Sequence, residues 1–201
     1  MNNTAAGRRL ILASGSPRRH DILCTAGIPH EIRVADADES LPAGIAPSDA
    51  VEMLSARKAS AVLRTAAADE IILAADTVVS LNGVILGKPL DEDDARAMLR
   101  AQSGNAQEVY TGITITDGHT TVTTHEKTIV RMRTIHEDEI EDYIASGDPM
   151  DKAGAYGYQS LAGVFVAGIE GDYFNVVGLP LCRVSTILRE QFDFRPQWNR
   201  R

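Results

Sequence analysis

Hydrophobic positions along the chain follow two patterns, short apolar or alternating runs and longer stretches with helical spacing. The first pattern predicts strands at residues 9–13 and within HEIRVAD, EIILAADTVVSLNGVILGKP, QEVYTGITITDG, HTTVTTHEKTIVRMR and GVFVAGIEGDYFNVVG. The second predicts helices from Pro17 to about Gly27 and within SDAVEMLSARKASAVLRTAAA, DEDDARAMLRAQSG, HEDEIEDYIASG and LPLCRVSTILREQF. Strands and helices interleaved in this way predict an α/β protein.

Turn and cap residues set several of these predicted boundaries. Asn82-Gly83 is the most favoured two-residue hairpin turn, and Asp117-Gly118 predicts a second turn. Ser48 is predicted to cap the second helix, which has acids in its first turn. The acidic opening DEDD complements the dipole of its own helix, so its carboxylates are given no catalytic role.

Length and composition are those of one soluble globular unit. The prediction is a single two-lobed domain over residues 1–201, with a core at about 9–191 and a flexible, patternless tail at 192–201. Apolar residues make up 44% and charged residues 24%, and no apolar run approaches the roughly 18 residues of a membrane span. The N-terminal apolar stretch is too short for a secretory signal, so a cytoplasmic protein is expected.

Charge and cysteine content exclude some classes of function. The formal net charge of −8 disfavours broad nucleic-acid binding but allows a small phosphorylated ligand, since a cleft can concentrate cations. Cys24 and Cys182 form no CxxC pair, so neither a zinc site nor a disulfide framework is indicated. Both are predicted to be small buried residues, and the five scattered histidines are assigned no role.

The stretch LILASGSPRR leads from an apolar strand into small polar residues and two arginines. Helix N-termini stabilise anions, and the small residues SGS would let a phosphate approach the backbone. Arg18 and Arg19 could add charge-assisted hydrogen bonds. The alternative is an ordinary helix start, with Ser16 as cap and Pro17 in the first turn, and the stretch alone does not decide between them.

Lys58 interrupts an apolar stripe formed by Val51, Leu54, Ala61 and Val62 at helical spacing. A cation on an inward face needs a route to solvent or an anionic partner. One reading is an ammonium directed into a cleft toward a phosphate; the other is a side chain that reaches solvent at the edge of the stripe.

Asp76 follows the apolar run ILAA, where the carboxyl end of a strand is expected. Catalytic and metal-binding acids are common at that position in α/β sheets, and Lys58 and Lys88 offer complementary charge; turn capping is the alternative.

GVILGKP does not match the P-loop spacing, and G-x-S-x-G and H-E-x-x-H are missing from the sequence. Of the catalytic mechanisms considered, the one that remains is attack by a water molecule, assisted by a carboxylate and a metal.

The stretch DKAGAYGYQ combines small residues with tyrosines, a lysine and a glutamine. Gly154 and Gly157 suit tight backbone, and Gln159 offers a donor and an acceptor to a flat heterocycle. The alternative is an irregular turn packed by Tyr156 and Tyr158.

Eight segments, in order, resemble motifs of the Maf family of nucleoside triphosphate pyrophosphatases, also known as septum formation inhibitor-like proteins. They are LASGSPRR, DADES, SARKA, AADTVV, GKP, SGNAQEVYTG, DKAGAYGYQ and VVGLPL, from about Leu10 to Leu188. The resemblance implies a mixed, elongated α/β sheet flanked by helices with a central cleft, similar to inosine triphosphate pyrophosphatases. It also implies hydrolysis of a triphosphate to monophosphate and pyrophosphate with Mg²⁺ or Mn²⁺, and a homodimer.

The resemblance also implies roles for individual residues. Asp76 would be the catalytic base and, with Glu39, a metal ligand. The substrate-binding positions would be Ser14, Arg19, Lys58, Lys88 and Lys152. SGSPRR, ADT and DKAGAYG-x-Q resemble the branch that acts on dTTP and UTP, whose specificity positions match Arg18, Thr77 and Gln159. Tyr158 and Ser160 depart from that branch, where an aliphatic residue and a glycine are usual.

The predicted function is hydrolysis of dTTP, UTP and modified pyrimidine triphosphates, a house-cleaning role in nucleotide metabolism. The alternative is a nucleotide-binding regulator of cell division whose hydrolysis is incidental, and which would need the cations but not the acid at Asp76. The predicted partners are the triphosphate and a second copy of the chain, with no nucleic acid and no membrane.

Overall fold

The computed structural model describes residues 7–34 and 36–196. Its strands are β1 (Arg9–Leu12), β2 (Glu31–Ile32), β3 (Glu70–Leu81), β4 (Val84–Leu86), β5 (Ala106–Thr116), β6 (Thr121–Met132) and β7 (Val166–Glu170). Its helices are α1 (Pro17–Thr25), α2 (Pro47–Leu63), α3 (Glu92–Gln102), α4 (Glu137–Ala145), α5 (Tyr173–Val177) and α6 (Leu181–Phe192). Short 3₁₀ turns lie at Asp148–Asp151, Ala153–Ala155 and Leu161–Phe165. No helix in these described ranges is long and apolar enough to cross a membrane.

The strands form one mixed sheet in the order β2-β1-β3-β5-β6-β7, and β4 also pairs with β3. β1 is parallel to β2 and β3, whereas the other pairs are antiparallel. Helices pack against this sheet, so the predicted α/β class, a mixed sheet flanked by helices, is confirmed.

The β3–β4 hairpin follows the sequence prediction in detail. Leu81 pairs with Val84, which leaves Asn82 and Gly83 as a two-residue loop. Both loop residues have positive φ, 52° and 81°, as the type I′ turn requires. A type I′ turn twists in the same sense as the two strands that it joins. Asn and Gly tolerate positive φ, so these two residues are enough to specify the turn.

Three boundaries differ from the prediction. Ser48 lies inside α2, whose cap position is Ala46, with Pro47 in the first turn and no side-chain cap bond. The second predicted strand shrinks to β2, two residues beside the short β1. The end of GVFVAGIEGDYFNVVG is helical, because the Asp172 carboxylate accepts a hydrogen bond from the Phe174 N–H and caps α5.

The predicted flexible tail from residue 192 is wrong as far as Phe194. Phe192 and Phe194 are 2% and 8% exposed and pack in the core with Leu188. Asp193, the residue after α6, has a left-handed conformation that turns the chain, so that the Phe194 N–H bonds the Leu188 carbonyl. Residues 197–201 of the predicted tail lie outside the described residues.

Strand β3 contributes to two hydrophobic clusters on one face of the sheet. Ile71, Leu73 and Ala75 pack with residues of α1 and α6, and Val79 packs with residues of α3 and α4. Thr77 lies between the two clusters on the same face, because alternate residues of a strand share a face. The two clusters are therefore joined through one strand.

Candidate active site

A cleft of about 740 Å³ opens at the middle of β3. Nine of the ten predicted site residues line it, and the tenth, Ser14, bonds one of them. Its charged lining comprises five cations and four carboxylates: Arg18, Arg19, Lys58, Lys88 and Lys152, with Glu39, Asp76, Asp148 and Asp151. The cleft therefore concentrates cations in a protein whose net charge is −8.

Asp76 lies in the middle of β3, and the expectation of a strand end there is wrong. β5 keeps pairing with β3 past this point, with Gly112 opposite Asp76. On the other edge of β3, β1 pairs as far as Leu73, and β4 pairs only from Val79 onward. Neither strand pairs with β3 over residues 74–78, and Asp76 and Thr77, which lie on opposite faces of β3, both line the cleft.

Lys58 extends from α2 to two carboxylates in the cleft. Its Nζ lies 2.5 Å from Asp76 Oδ1 and 2.8 Å from Glu39 Oε1. The hydrogen bond and charge of Lys58 hold the pKa of Glu39 below its ordinary value. The apolar stripe around Lys58 is buried, and the Lys58 side chain is 20% exposed, so the ammonium is directed into the cleft rather than out to bulk water.

A glycine in β5 allows α2 to lie close enough for this contact. A Cβ added to Gly112 would lie 2.2 Å from the Val51 carbonyl oxygen of α2. Any other residue would force the helix away from the sheet, since real side chains are never this close to backbone atoms. Gly112 is opposite Asp76, so this close helix–sheet contact lies beside the carboxylate that Lys58 binds.

Arg19 is fixed by hydrogen bonds from three of its nitrogens. Nε donates to the Gly178 carbonyl at 2.8 Å, Nη1 to Ser14 Oγ at 3.0 Å and Nη2 to Thr77 Oγ1 at 3.0 Å. Burial lowers the pKa of Arg19 from its usual value. A guanidinium carries five N–H donors, so two remain for an anionic ligand.

The turn before α1 leaves backbone donors available. Ser16 is at the cap position of α1 and makes no side-chain cap bond, while Pro17 is in the first turn. The Ser16 N–H and Arg19 both donate to Ser14 Oγ, at 3.2 and 3.0 Å. The turn thus places the uncapped N-terminus of α1 beside the fixed guanidinium of Arg19, and both groups can bind an anion.

Thr77 belongs to a chain of hydroxyls that holds Arg19 in place. Thr111 Oγ1 donates to the Asn175 carbonyl and lies 2.9 Å from Thr77 Oγ1. With the Thr111 proton used in this way, Thr77 donates to Thr111 and accepts from Arg19. The sequence offered no signal for Thr111, whose part depends on the β3–β5 pairing.

Lys152 is paired with two cleft carboxylates that sequence reasoning missed. Its Nζ lies 3.2 Å from Asp148 Oδ1 and 2.7 Å from Asp151 Oδ1. The hydrogen bond from Lys152 lowers the Asp151 pKa. Burial raises the pKa of Asp148, but hydrogen bonds from Ser160, Tyr143 and Lys152 together bring it below its ordinary value. The acids lie three residues apart on one 3₁₀ turn, a spacing that places them on one side.

Arg18 and Lys88 are exposed cations at the cleft. Across residues 7–34 and 36–196, the structure shows no hydrogen bond or ion pair for either side chain. Their charges are therefore available to an anionic ligand without the loss of an existing contact.

Gln159 lies on an exposed loop of the cleft, and its neighbours constrain it. Its Nε2 is 3.3 Å from the Tyr173 hydroxyl, and the Tyr158 and Tyr173 rings meet edge to face at 5.4 Å. Ser160 Oγ donates to the Gly157 carbonyl at 2.9 Å and closes the turn. The two departures from the family pattern, Tyr158 and Ser160, therefore support the loop that carries Gln159.

The carboxylates of Glu39 and Asp76 fit the ligand preference of Mg²⁺. Both are oxygen donors, and both contact the same Lys58 ammonium, so they converge on one cationic group. Mg²⁺ is commonly bound by one or two carboxylates together with substrate phosphates. Glu39 and Asp76 could therefore supply the carboxylate ligands, and the substrate would supply the phosphate ligands.

Comparisons with known proteins identify the family of the chain. A family model described as Maf-like protein matches residues 9–191. The chain is 48% identical over 186 residues to "dTTP/UTP pyrophosphatase" of Bacillus cereus (strain B4264), covering 92% of this chain and 96% of that relative. For the protein of the same name from Bacillus mycoides (strain KBAB4), identity is 47% with the same coverage. A structure of the Staphylococcus aureus Ham1 protein matches with a TM-score of 0.45 and 12% identity, over 62% of this chain and 71% of that one. The chain belongs to the Maf family.

Proposed function

We propose that this protein hydrolyses dTTP and UTP, and modified pyrimidine triphosphates, to the monophosphate and pyrophosphate. The observation that carries the proposal is the carboxylate of Asp76, held by Lys58 at an opening lined by cations. Relatives 47–48% identical carry the name dTTP/UTP pyrophosphatase, which supports the choice of substrate.

In the proposed reaction, Asp76 is the general base for water. Its Oδ1 contacts Lys58, and no described residue bonds Oδ2, which leaves that oxygen for the water. The water oxygen bonds to the α-phosphorus, its proton passes to Asp76, and the bond from the α-phosphorus to the bridging oxygen breaks to release pyrophosphate. Arg19, Lys88 and Arg18 would stabilise the charge that develops on the phosphates.

We propose that Glu39 and Asp76 hold a divalent cation, Mg²⁺ or Mn²⁺. When bound, such a cation neutralises phosphate charge and polarises a phosphoryl oxygen. Lys58 contacts both carboxylates, so it offsets their charge whenever the cation is not there. Lys152 would contact phosphate only after leaving Asp148 or Asp151.

Gln159 is the proposed reader of the base. Donation from its Nε2 to Tyr173 orients the amide, so that Oε1 remains free as an acceptor. Uracil and thymine share an N3–H donor, whereas cytosine has an unprotonated N3 there. A mismatched polar edge would reduce catalytic efficiency for CTP by about 5–150-fold. Thymine and uracil differ by a methyl group that makes no hydrogen bond, so both are expected to be substrates.

The test is pyrophosphate release from UTP, dTTP and CTP by the wild type and by Asp76→Asn at saturating Mg²⁺. Asn keeps the size of the side chain but cannot accept the proton, so turnover should fall by roughly 10²–10⁴-fold. Near-normal turnover by the variant would remove Asp76 from the role of base. Tight triphosphate binding without pyrophosphate release by the wild type would instead support the nucleotide-binding regulator.

We further propose that the protein works in the cytoplasm as a homodimer and without a nucleic-acid partner. The net charge of −8 supports the last point, because an acidic surface repels a phosphate backbone. Light scattering of the purified chain would test the dimer.

A further inference from the structure

Outside the cleft, α1 and the turn that follows it bring together three side chains that ligate metals. Within the described ranges, His20, Cys24 and His30 are the one group of this kind whose ligand atoms all lie within 4.8 Å of one another. His20 Nδ1 is 2.8 Å from His30 Nε2, and Cys24 Sγ is 3.5 Å from His20 Nε2 and 3.8 Å from Nδ1. None of the three lines the cleft.

The ring of His30 is already oriented as a metal ligand would be. Its Nδ1 lies 2.9 Å from the Ile28 carbonyl oxygen, which can only accept, so Nδ1 carries the proton. In the neutral ring Nε2 is then the acceptor, and it lies 2.8 Å from His20 Nδ1. Metal-bound histidines usually donate their second ring N–H to a carbonyl or carboxylate in this way.

We propose that His20, Cys24 and His30 form a surface site for Zn²⁺ or a cation of the same class. Tetrahedral zinc with ordinary bond lengths separates two nitrogens by about 3.3 Å and a nitrogen from sulfur by about 3.6 Å. With Nδ1 as the ligand atom of His20, the corresponding distances are 2.8 Å to His30 Nε2 and 3.8 Å to Cys24 Sγ, and all three ligand atoms lie within 4.8 Å of one another. The two histidines must separate slightly, as the cation replaces the proton between them. The Cys24 thiol loses its proton to water when it binds.

This site differs in chemistry from the carboxylate pair of the cleft. Imidazole and thiolate select zinc-like cations, whereas Glu39 and Asp76 offer the oxygen donors that suit Mg²⁺. Cys24 is exposed, contrary to the sequence prediction, because Ile22 and Leu23 take the buried face of α1. Three protein ligands at an accessible position leave the fourth for water.

A search of the sequence for CxxC pairs does not find this arrangement. His20 and Cys24 are four residues apart on one helix and share a face. His30 joins them because Gly27, with φ of 63°, reverses the chain after α1. A bound cation would therefore fasten the end of α1, the helix that carries Arg19, to the segment that leads into β2.

The proposal is tested by titrating the full chain with Co²⁺, which gives a thiolate-to-metal absorption band only when sulfur is a ligand. Wild type should bind one Co²⁺ per chain with that band, and Zn²⁺ should displace it. Cys24→Ser should abolish the band, and His30→Ala should weaken affinity by more than the roughly 10–100-fold typical of a lost outer-shell partner.

Cys182→Ser is the matched control, because Cys182 is the other free, exposed cysteine. It should bind Co²⁺ as the wild type does. A wild type without the band, a band that survives Cys24→Ser, or a band lost in Cys182→Ser would each overturn the site. The result does not depend on pyrophosphatase activity, since the band reports on the thiolate alone.

Discussion

Lys58 balances the charge of two cleft carboxylates, so its removal should weaken the fold most when no divalent cation is present. With Lys58→Met, Glu39 and Asp76 lose their shared partner, and the free energy of unfolding should fall by about 1–3 kcal/mol. Mg²⁺ should then stabilise the variant more than the wild type, because no ammonium competes for the carboxylates. Denaturant unfolding with and without Mg²⁺ measures both effects.

Lys127→Met is the control for this substitution. Lys127 is also paired with a carboxylate, that of Glu108, but this pair joins β6 to β5 at a more exposed position. Its loss should change stability by less than about 1 kcal/mol and should not respond to Mg²⁺. An equal Mg²⁺ response in both variants would show that Lys58 does not compete for the carboxylates.

Single residues also show what could be read from the sequence. Asp76, Lys58 and Arg19 lie in short motifs with unusual charge for their surroundings, and the structure brings all three to the cleft. Asp148 and Thr111 carried no such signal. Thr111 bonds the Asn175 carbonyl, 64 residues along the chain, and that contact follows from the tertiary fold rather than from local pattern. Asp148 bonds Lys152 only four residues away, and what the local pattern did not indicate is that the fold places this pair at the cleft.

The seating of α2 on β5 depends on Gly112. In Gly112→Ala, the new methyl group would overlap the Val51 carbonyl, so α2 must shift and Lys58 must move from Asp76. We expect a loss of about 1–3 kcal/mol in stability, and a loss of turnover in the protein that stays folded. Denaturant unfolding and pyrophosphate release measure the two effects.

Gly168→Ala provides the comparison, because Gly168 is also in a strand, β7, and a Cβ there meets nothing within 4 Å. It should retain both stability and turnover. If the two alanine variants behave alike, the close approach of α2 is not what places Lys58.

Elements were predicted best where local chemistry decides them. The β3–β4 turn was specified by Asn82-Gly83, and α3 forms within the predicted segment DEDDARAMLRAQSG. The structure adds the cap of α3, because the Asp91 carboxylate accepts a hydrogen bond from the Asp94 N–H. The length of β2 was overestimated because it depends on the pairing of β2 with β1. The open edge of β3 was missed for the same reason, since strand pairing decides where β1 stops and β4 begins.

The two hydrophobic clusters should unfold together because β3 belongs to both. Leu99→Ala removes buried volume from the second cluster only and should cost about 2–5 kcal/mol. Native-state hydrogen exchange should show an equal loss of protection for the amides of residues 71–75, in the first cluster. Unchanged protection there would mean that the clusters open separately.

The shared strand also determines how the chain can be divided. A cut anywhere between Ala75 and Val79 would leave each fragment with half of β3 and an unpaired edge along β5. Neither half is therefore a module that recombination could transplant into another protein. Because the cleft lies at that same stretch of strand, neither half alone would carry Asp76 together with the whole lining of the cleft.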